Sequence, residues 1–152
     1  MSALVSTIEI GRSPDEVFSY TIDPAHFADW QPDVVEARAM GAGPPGVGSR
    51  LKQTRQIGRA QRSFSQEVIK NEPPTRWAVR GIDGPIRPGM DLTVEPLDDG
   101  NRSRVTFALD FEPRGIGRLL VPLLVRRLAR MNAPRSYQIL KERLEEGGDR
   151  TA

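Results

Sequence analysis

The sequence predicts an α+β fold in which one antiparallel sheet of about seven strands is covered by a long C-terminal helix. Three observations carry that reading. Apolar and polar residues alternate with period two in a short run near the N-terminus and again in runs between residues 50 and 111. No helical periodicity interrupts the second stretch before about residue 116. Only 116–146 is long enough to cover the apolar face that the strands would share. The length of 152 residues suits one domain with a sizeable core, placed at 1–147, followed by a disordered tail at 148–152.

Each element follows from local chemistry. Leu4, Ile8 and Ile10 share one face of a strand and Thr7 and Glu9 the other. Ser13-Pro14-Asp15-Glu16 reads as an N-cap, a proline at the first helical position and two acids in the first turn, so a helix is expected over Pro14–Ile22. Asp23-Pro24 repeats the signal for a second short helix carrying Phe27 and Trp30, which Pro32 ends. Val34–Met40 is a short strand, and the glycines and prolines of GAGPPGVGS exclude regular structure after it. Arg50–Ile57 and Arg62–Lys70 flank Gly58-Arg59, where glycine supplies the positive φ of a hairpin turn. Glu72-Pro73-Pro74 stops that strand; Arg76–Gly81, Met90–Leu97 and Arg102–Phe111 follow, the last two joined at Asp99-Gly100. In the C-terminal segment Leu120, Leu124, Leu128 and Met131 keep helical spacing, but Tyr137, Leu140 and Leu144 fall on another side of a straight helix. The phase changes at Pro134, so a kink or break is expected between Met131 and Pro134, with the main helix starting near Pro122.

Composition excludes several chemistries. There is no cysteine and one histidine, His26, which removes disulfides, thiolate catalysis and Cys/His zinc sites. Asp91 and Asp110 point away from the apolar face, no phosphate-binding glycine loop is present, and no carboxylate cluster suits a metal, so neither metal nor cofactor is expected. Cations are mostly arginine, yet 22 Lys and Arg against 20 Asp and Glu leave a net charge of +2, which is no nucleic-acid signature. The longest apolar run, Leu119–Val125, is too short to span a bilayer, and the N-terminus lacks a secretion leader, so a cytoplasmic monomer or homodimer is expected.

Strand, two short helices, six antiparallel strands and a long helix make a helix-grip order: a curved sheet wrapped around a helix. Residues Ser13–Phe18 with Asp23-Pro24, then Trp30-Gln31-Pro32, Gly46–Arg50, Val94-Glu95-Pro96, Glu112–Gly115 and Leu140-Lys141 follow in the order seen in the START-like superfamily. In these the chain resembles that superfamily over nearly its whole length, most closely its polyketide cyclase/dehydrase and lipid-transport branch. The resemblance implies a cofactor-independent cyclase or dehydratase for a polyketide-like substrate. It equally allows a non-catalytic lipid or quinone carrier or sensor, or a chaperone-activator-like protein-binding module.

A sheet curled around a helix either fills its interior or keeps a pocket. The strand and helix phases send Phe64, Trp77, Val79, Met90, Leu92, Phe107, Leu109, Leu124, Leu128 and Met131 inward as expected ligand contacts. Gln53, Arg55 and Gln66 share the inward phase of Leu51, Ile57, Phe64 and Val68. Buried amides and a guanidinium suit a ligand-filled cavity, unless Arg55 snorkels at the rim or a bulge shifts the register. For a reaction, Arg55, Gln66 and Tyr137 are the candidates to polarise a carbonyl or move a proton. His26 has suitable chemistry but sits at the start of a surface helix. Trp30 either packs the short helices or lines the cavity floor. Arg118, Arg126, Arg127 and Arg130 form a basic stretch that suits a solvated face, a membrane surface or an acyl-carrier protein, and Arg127 lies nearest the apolar side, where it would meet an anionic head group.

Overall fold

A computed structural model describes residues 3–41, 46–84, 86–113 and 126–149. Strand β1 (Leu4–Ile10) leads through helix α1 (Pro14–Ile22), a single 3-10 turn (Pro24–His26) and the one-turn helix α2 (Phe27–Trp30) to strand β2 (Val34–Met40). Strands β3 (Arg50–Ile57), β4 (Ala60–Glu72), β5 (Arg76–Gly81), β6 (Ile86–Leu97) and β7 (Arg102–Pro113) precede the long helix α3 (Arg126–Asp149). The seven strands form one antiparallel sheet in the order β1-β7-β6-β5-β4-β3-β2, so the first strand closes the edge beside the last. This is the helix-grip arrangement expected from the sequence.

Local signals explain the boundaries. Ser13 caps α1 by accepting from the Glu16 N–H, and Asp23 caps the next turn by accepting from the Ala25 N–H. Ile57 pairs with Ala60 across Gly58-Arg59, and Gly58 takes φ 62°, the left-handed conformation that glycine adopts without strain. The turn between β6 and β7 is longer than Asp99-Gly100 alone: Leu97 pairs with Arg102, and Asp98, Asp99 and Gly100 all take positive φ. β6 starts at Ile86, four residues before the expected Met90, because Pro88 and Gly89 do not break it. Gly89 leaves room there for the Arg80 guanidinium, which crosses the strand to Asp110 and would have to shift for a Cβ.

The core lies between the concave sheet face, α1 and the C-terminal half of α3. Ile10, Val17, Phe18, Val94, Val105, Phe107 and Leu140 are almost fully buried in it. Helix α3 is tied to the β1–α1 corner. The Lys141 ammonium donates to the Glu9 carbonyl at 2.6 Å, and Arg12 donates to the carbonyls of Leu144 and Glu145, each at 3.1 Å.

The helix departs from expectation in three ways. It runs unbroken through Pro134, whose missing N–H falls on the exposed side. Its inward stripe is Ala129, Ala133, Ser136, Tyr137, Leu140 and Leu144, with the half-buried, cavity-lining Leu128 at its margin and Met131 outside it. At 3.6 residues per turn Met131 lies across the helix from that stripe, and it is 65% exposed. Small residues carry the first turns of the packed face, which is why a count of large apolar side chains placed it wrongly. The helix also continues to Asp149, past its expected end at Glu146. The expected helix start near Pro122, and Arg118 and Leu124, lie outside the described residues.

Candidate functional site: a cavity with one polar wall

Between the concave face of the sheet, α2 and the first turns of α3 lies a cavity of about 510 Å³. Most of its wall is apolar or aromatic: Phe27 and Trp30 from α2, Phe64, Trp77, Val79, Met90, Leu92, Phe107 and Leu109 from the sheet, and Leu128, Ala129 and Ala133 from α3. Trp30 sits 6.1 Å from the Phe107 ring, which in turn stacks on Tyr137 with centroids 3.9 Å apart and planes 8° from parallel. These rings form one continuous aromatic wall.

The opposite wall is polar, and its side chains are bound to one another. Arg55 Nη1 donates to Asp33 Oδ2 at 2.8 Å, Nη2 donates to Gln31 Oε1, and Nε donates to Gln53 Oε1 at 2.8 Å. The Gln53 amide then donates to Gln66 Oε1 at 2.7 Å, and Gln66 donates to the Pro88 carbonyl at 2.8 Å. Both glutamine amides are therefore oriented by the network, and every bond in the chain donates in one direction, from guanidinium to backbone carbonyl. Gln53 and Gln66 are buried at 4% exposure each, which only such pairing makes tolerable. The carboxylate of Asp33 neutralises the guanidinium, so the wall is polar without net charge.

The phenol hydroxyl of Tyr137 takes no hydrogen bond among the described residues although it lines the cavity, next to the hydroxyl of Ser136. Burial pushes its phenol up to about 12, partly opposed by the positive charge of Arg55. It is a proton donor at neutral pH and no base.

The structure brings Trp30, Gln53, Arg55, Phe64, Gln66, Trp77, Val79, Met90, Leu92, Phe107, Leu109, Leu128 and Tyr137 to this cavity. It does not bring Met131, which faces outward, or Arg127, which is exposed and forms no part of the lining. His26 is also elsewhere. It stacks on Tyr20 at 4.4 Å and bonds Asp29 at 2.9 Å on the outer side of the helical corner. Tyr20 is likewise pushed up to about 12, by burial and by the Asp29 carboxylate that accepts from it. Sequence reasoning missed Gln31 and Asp33, which hold the head of Arg55. They flank Pro32 in a turn, where neither the helical nor the strand period assigns a direction. Their residue types, an amide and an acid beside a tryptophan in a turn between buried elements, were the only signal.

The family model described as polyketide cyclase/dehydrase and lipid transport matches residues 1–145. The chain belongs to that family. Among solved structures it is similar to the Zhui aromatase/cyclase from Streptomyces sp. R1128, with TM-score 0.77, 13% identity, and 94% of this chain and 93% of that one covered. A START superfamily protein from Mycobacterium smegmatis aligns with TM-score 0.76 and 16% identity over 96% of this chain and 99% of the other. The di-domain ARO/CYC BexL from the BE-7585A biosynthetic pathway gives 0.71 and 15% identity, this chain matching 47% of its length at 95% coverage of its own. At such identities these likenesses establish the fold. A search of curated protein sequences finds no match.

Proposed function

We propose that the protein binds a hydrophobic polycyclic or polyketide-like molecule in the cavity and orients it for cyclisation or dehydration without a cofactor. The observation that carries this is the division of the cavity into an aromatic wall and an oriented polar wall, with an unengaged phenol hydroxyl on the aromatic side. Flat aromatic surfaces suit a planar apolar ligand. Tyr137 would donate to a ligand carbonyl or hydroxyl as negative charge develops there, and the remaining N–H groups of Arg55, Gln53 and Gln66 would fix a second oxygen. An acyl-carrier protein would deliver a nascent polyketide in this reading.

A second reading, a carrier or sensor for a lipid or quinone, is favoured by one feature. Among the described lining residues Asp33 is the one carboxylate, it is engaged by Arg55, and no imidazole is present, so no free base faces the cavity. Native mass spectrometry of the purified protein separates the readings from an empty or filled interior by identifying any retained molecule. Both tryptophans of the chain line the cavity, so titration with anthraquinones and with long-chain quinones can be followed by intrinsic fluorescence. Preferential binding of anthraquinones, which resemble a cyclised and dehydrated product, supports the cyclase reading. Preferential binding of long-chain quinones supports the carrier. No quenching by any of them refutes both.

A further inference from the structure

Charge in this chain is segregated far more than its net value of +2 suggests. Two stretches without an acid, 37–66 and 113–141, hold 13 of the 22 cationic residues, and all 20 acids lie outside them. The strand register brings parts of both stretches to one end of the molecule. The β3–β4 turn at Gly58-Arg59, the start of β6 and the start of α3 lie there, with two acids that are both engaged, Asp33 by Arg55 and Asp83 by the Ser65 N–H, whereas the Glu72 corner, the Asp98-Asp99 turn and Glu145 and Glu146 lie at the other. The cavity opens at the basic end: Ile57, Gly58 and Arg62 of the hairpin and Leu128, Ala129 and Asn132 of α3 are among its lining residues.

On the outer side of the first turns of α3, Arg127, Arg130, Met131, Pro134 and Arg135 are all exposed, and so are Arg59 and Arg62 on the hairpin. Among the described residues these five arginines make no ion pair. The arginines of the far half do: Arg102 with Glu9 and Asp98, and Arg104 with Glu9 and Glu95. These five cations thus have no ion-pair partner among the described residues, and an apolar side chain, Met131 at 65% exposure, stands among those of α3.

We propose that the cavity mouth docks on an anionic lipid surface, with the β3–β4 turn and the outer face of α3 as the two contact elements. Unpaired arginines together with an exposed apolar side chain are what an interfacial contact uses: the cations meet lipid phosphates and the apolar group enters the head-group boundary. A bilayer is favoured over an acidic protein because it asks only for like charges on one face and some apolar reach. It also holds apolar molecules of the kind the cavity would take. The association is peripheral, since no described helix is long and apolar enough to cross a membrane.

Sedimentation with vesicles of phosphatidylcholine alone, and of phosphatidylcholine with phosphatidylglycerol, tests this. The protein is expected to sediment with the anionic vesicles only, and to be released when salt rises from about 50 mM to about 500 mM, which shortens the screening length about threefold. Each arginine at the surface is worth about fivefold in partitioning, so Arg127→Glu/Arg130→Glu and Arg59→Glu/Arg62→Glu should each lose about 30-fold or more. Arg104→Glu, on the far half, should bind as the parent does. Circular dichroism and the emission of Trp30 and Trp77 verify that each variant is folded. Absence of binding to anionic vesicles at low salt overturns the proposal, as does an equal loss in Arg104→Glu. Capture of an acyl-carrier protein by the same face without vesicle binding overturns it in favour of a protein partner. Ligand titration of the same samples reports cavity occupancy separately, so failure of one reading does not mask the other.

Discussion

Replacing Tyr137 by Phe removes one oxygen from the cavity wall while keeping the ring that stacks on Phe107 at 3.9 Å. Because the hydroxyl takes no hydrogen bond among the described residues, no protein donor or acceptor is orphaned. At pH 7 the variant should unfold within about 0.5 kcal/mol of the parent, short of the roughly 1 kcal/mol that a lost hydrogen bond costs. The alkaline limb should differ. The folded phenol is pushed up to about 12 from an ordinary value of 10, so below pH 10 both folded and unfolded chains keep the proton and nothing is lost. Above pH 10 the unfolded chain releases it while the folded chain retains it, and stability falls until the folded phenol ionises near pH 12. A displacement of that size corresponds to about 3 kcal/mol, lost by the parent across this window and retained by Tyr137→Phe. Tyr20, also raised to about 12, is present in both proteins and cancels in the difference. Urea unfolding followed by circular dichroism at pH 7 and at steps up to the alkaline limit measures both quantities. A cost above about 1 kcal/mol at pH 7, or identical alkaline limbs, would refute the picture of a buried and unengaged hydroxyl.

Three further changes probe other parts of the molecule. Asp33→Ala strips the carboxylate from Arg55, with both side chains 24% exposed, and should cost about 1 to 2 kcal/mol in urea unfolding and weaken any quinone binding seen by tryptophan quenching. Gly81→Ala places a Cβ 2.7 Å from the Arg87 Cα, a backbone clash expected to cost about 2 kcal/mol or more. Gly89→Ala meets only the movable ends of Arg80 and Asp110 and should cost about 1 kcal/mol or less, so thermal melts should rank the two glycines in that order. Leu140→Ala, at 0% exposure, should lose about 2 to 5 kcal/mol, whereas Met131→Ala should stay within about 0.5 kcal/mol of the parent.

Where a period of two or a cap governs direction, the residues announce their places. β1, β2, β3 and β5 begin and end where alternation and turn chemistry put them, and α1 starts at its Ser-Pro signal. The inward phase of Gln53, Arg55 and Gln66 is legible for the same reason, since the extra residue opposite Thr54 and Arg55 sits on β2, between Val34 and Glu36, and that of β4 lies beyond Val68, so β3 and the first part of β4 keep their alternation. Legibility failed where size stood in for burial. Ala129 and Ala133, half-buried, and Ser136, buried, line the cavity from the first turns of α3, whereas the larger Met131 faces outward. It failed again in the turn 31–33, where tertiary contact alone aims Gln31 and Asp33 at Arg55. Pro134 illustrates a third case: a helix breaker by local rules is carried on the exposed side by a helix that packing holds on both flanks.

The clasp between the chain's two ends also governs how the protein must form. Among the described residues β1 pairs only with β7, residues 4–10 against 103–109, and Arg12 and Lys141 tie the same corner to α3. Residues 11–102 separate the two strands and 13–143 separate Arg12 from Leu144, so the closing contacts carry a large loop entropy and the fold belongs with slow, non-local folders on the millisecond to second scale. During synthesis β1 and α1 emerge early, but β1 stays unpaired until β7 is made and the α1 corner stays unclasped until the last helix is released. Aggregation in the cell should accordingly depend more on the rate of synthesis than on the stability of the finished molecule.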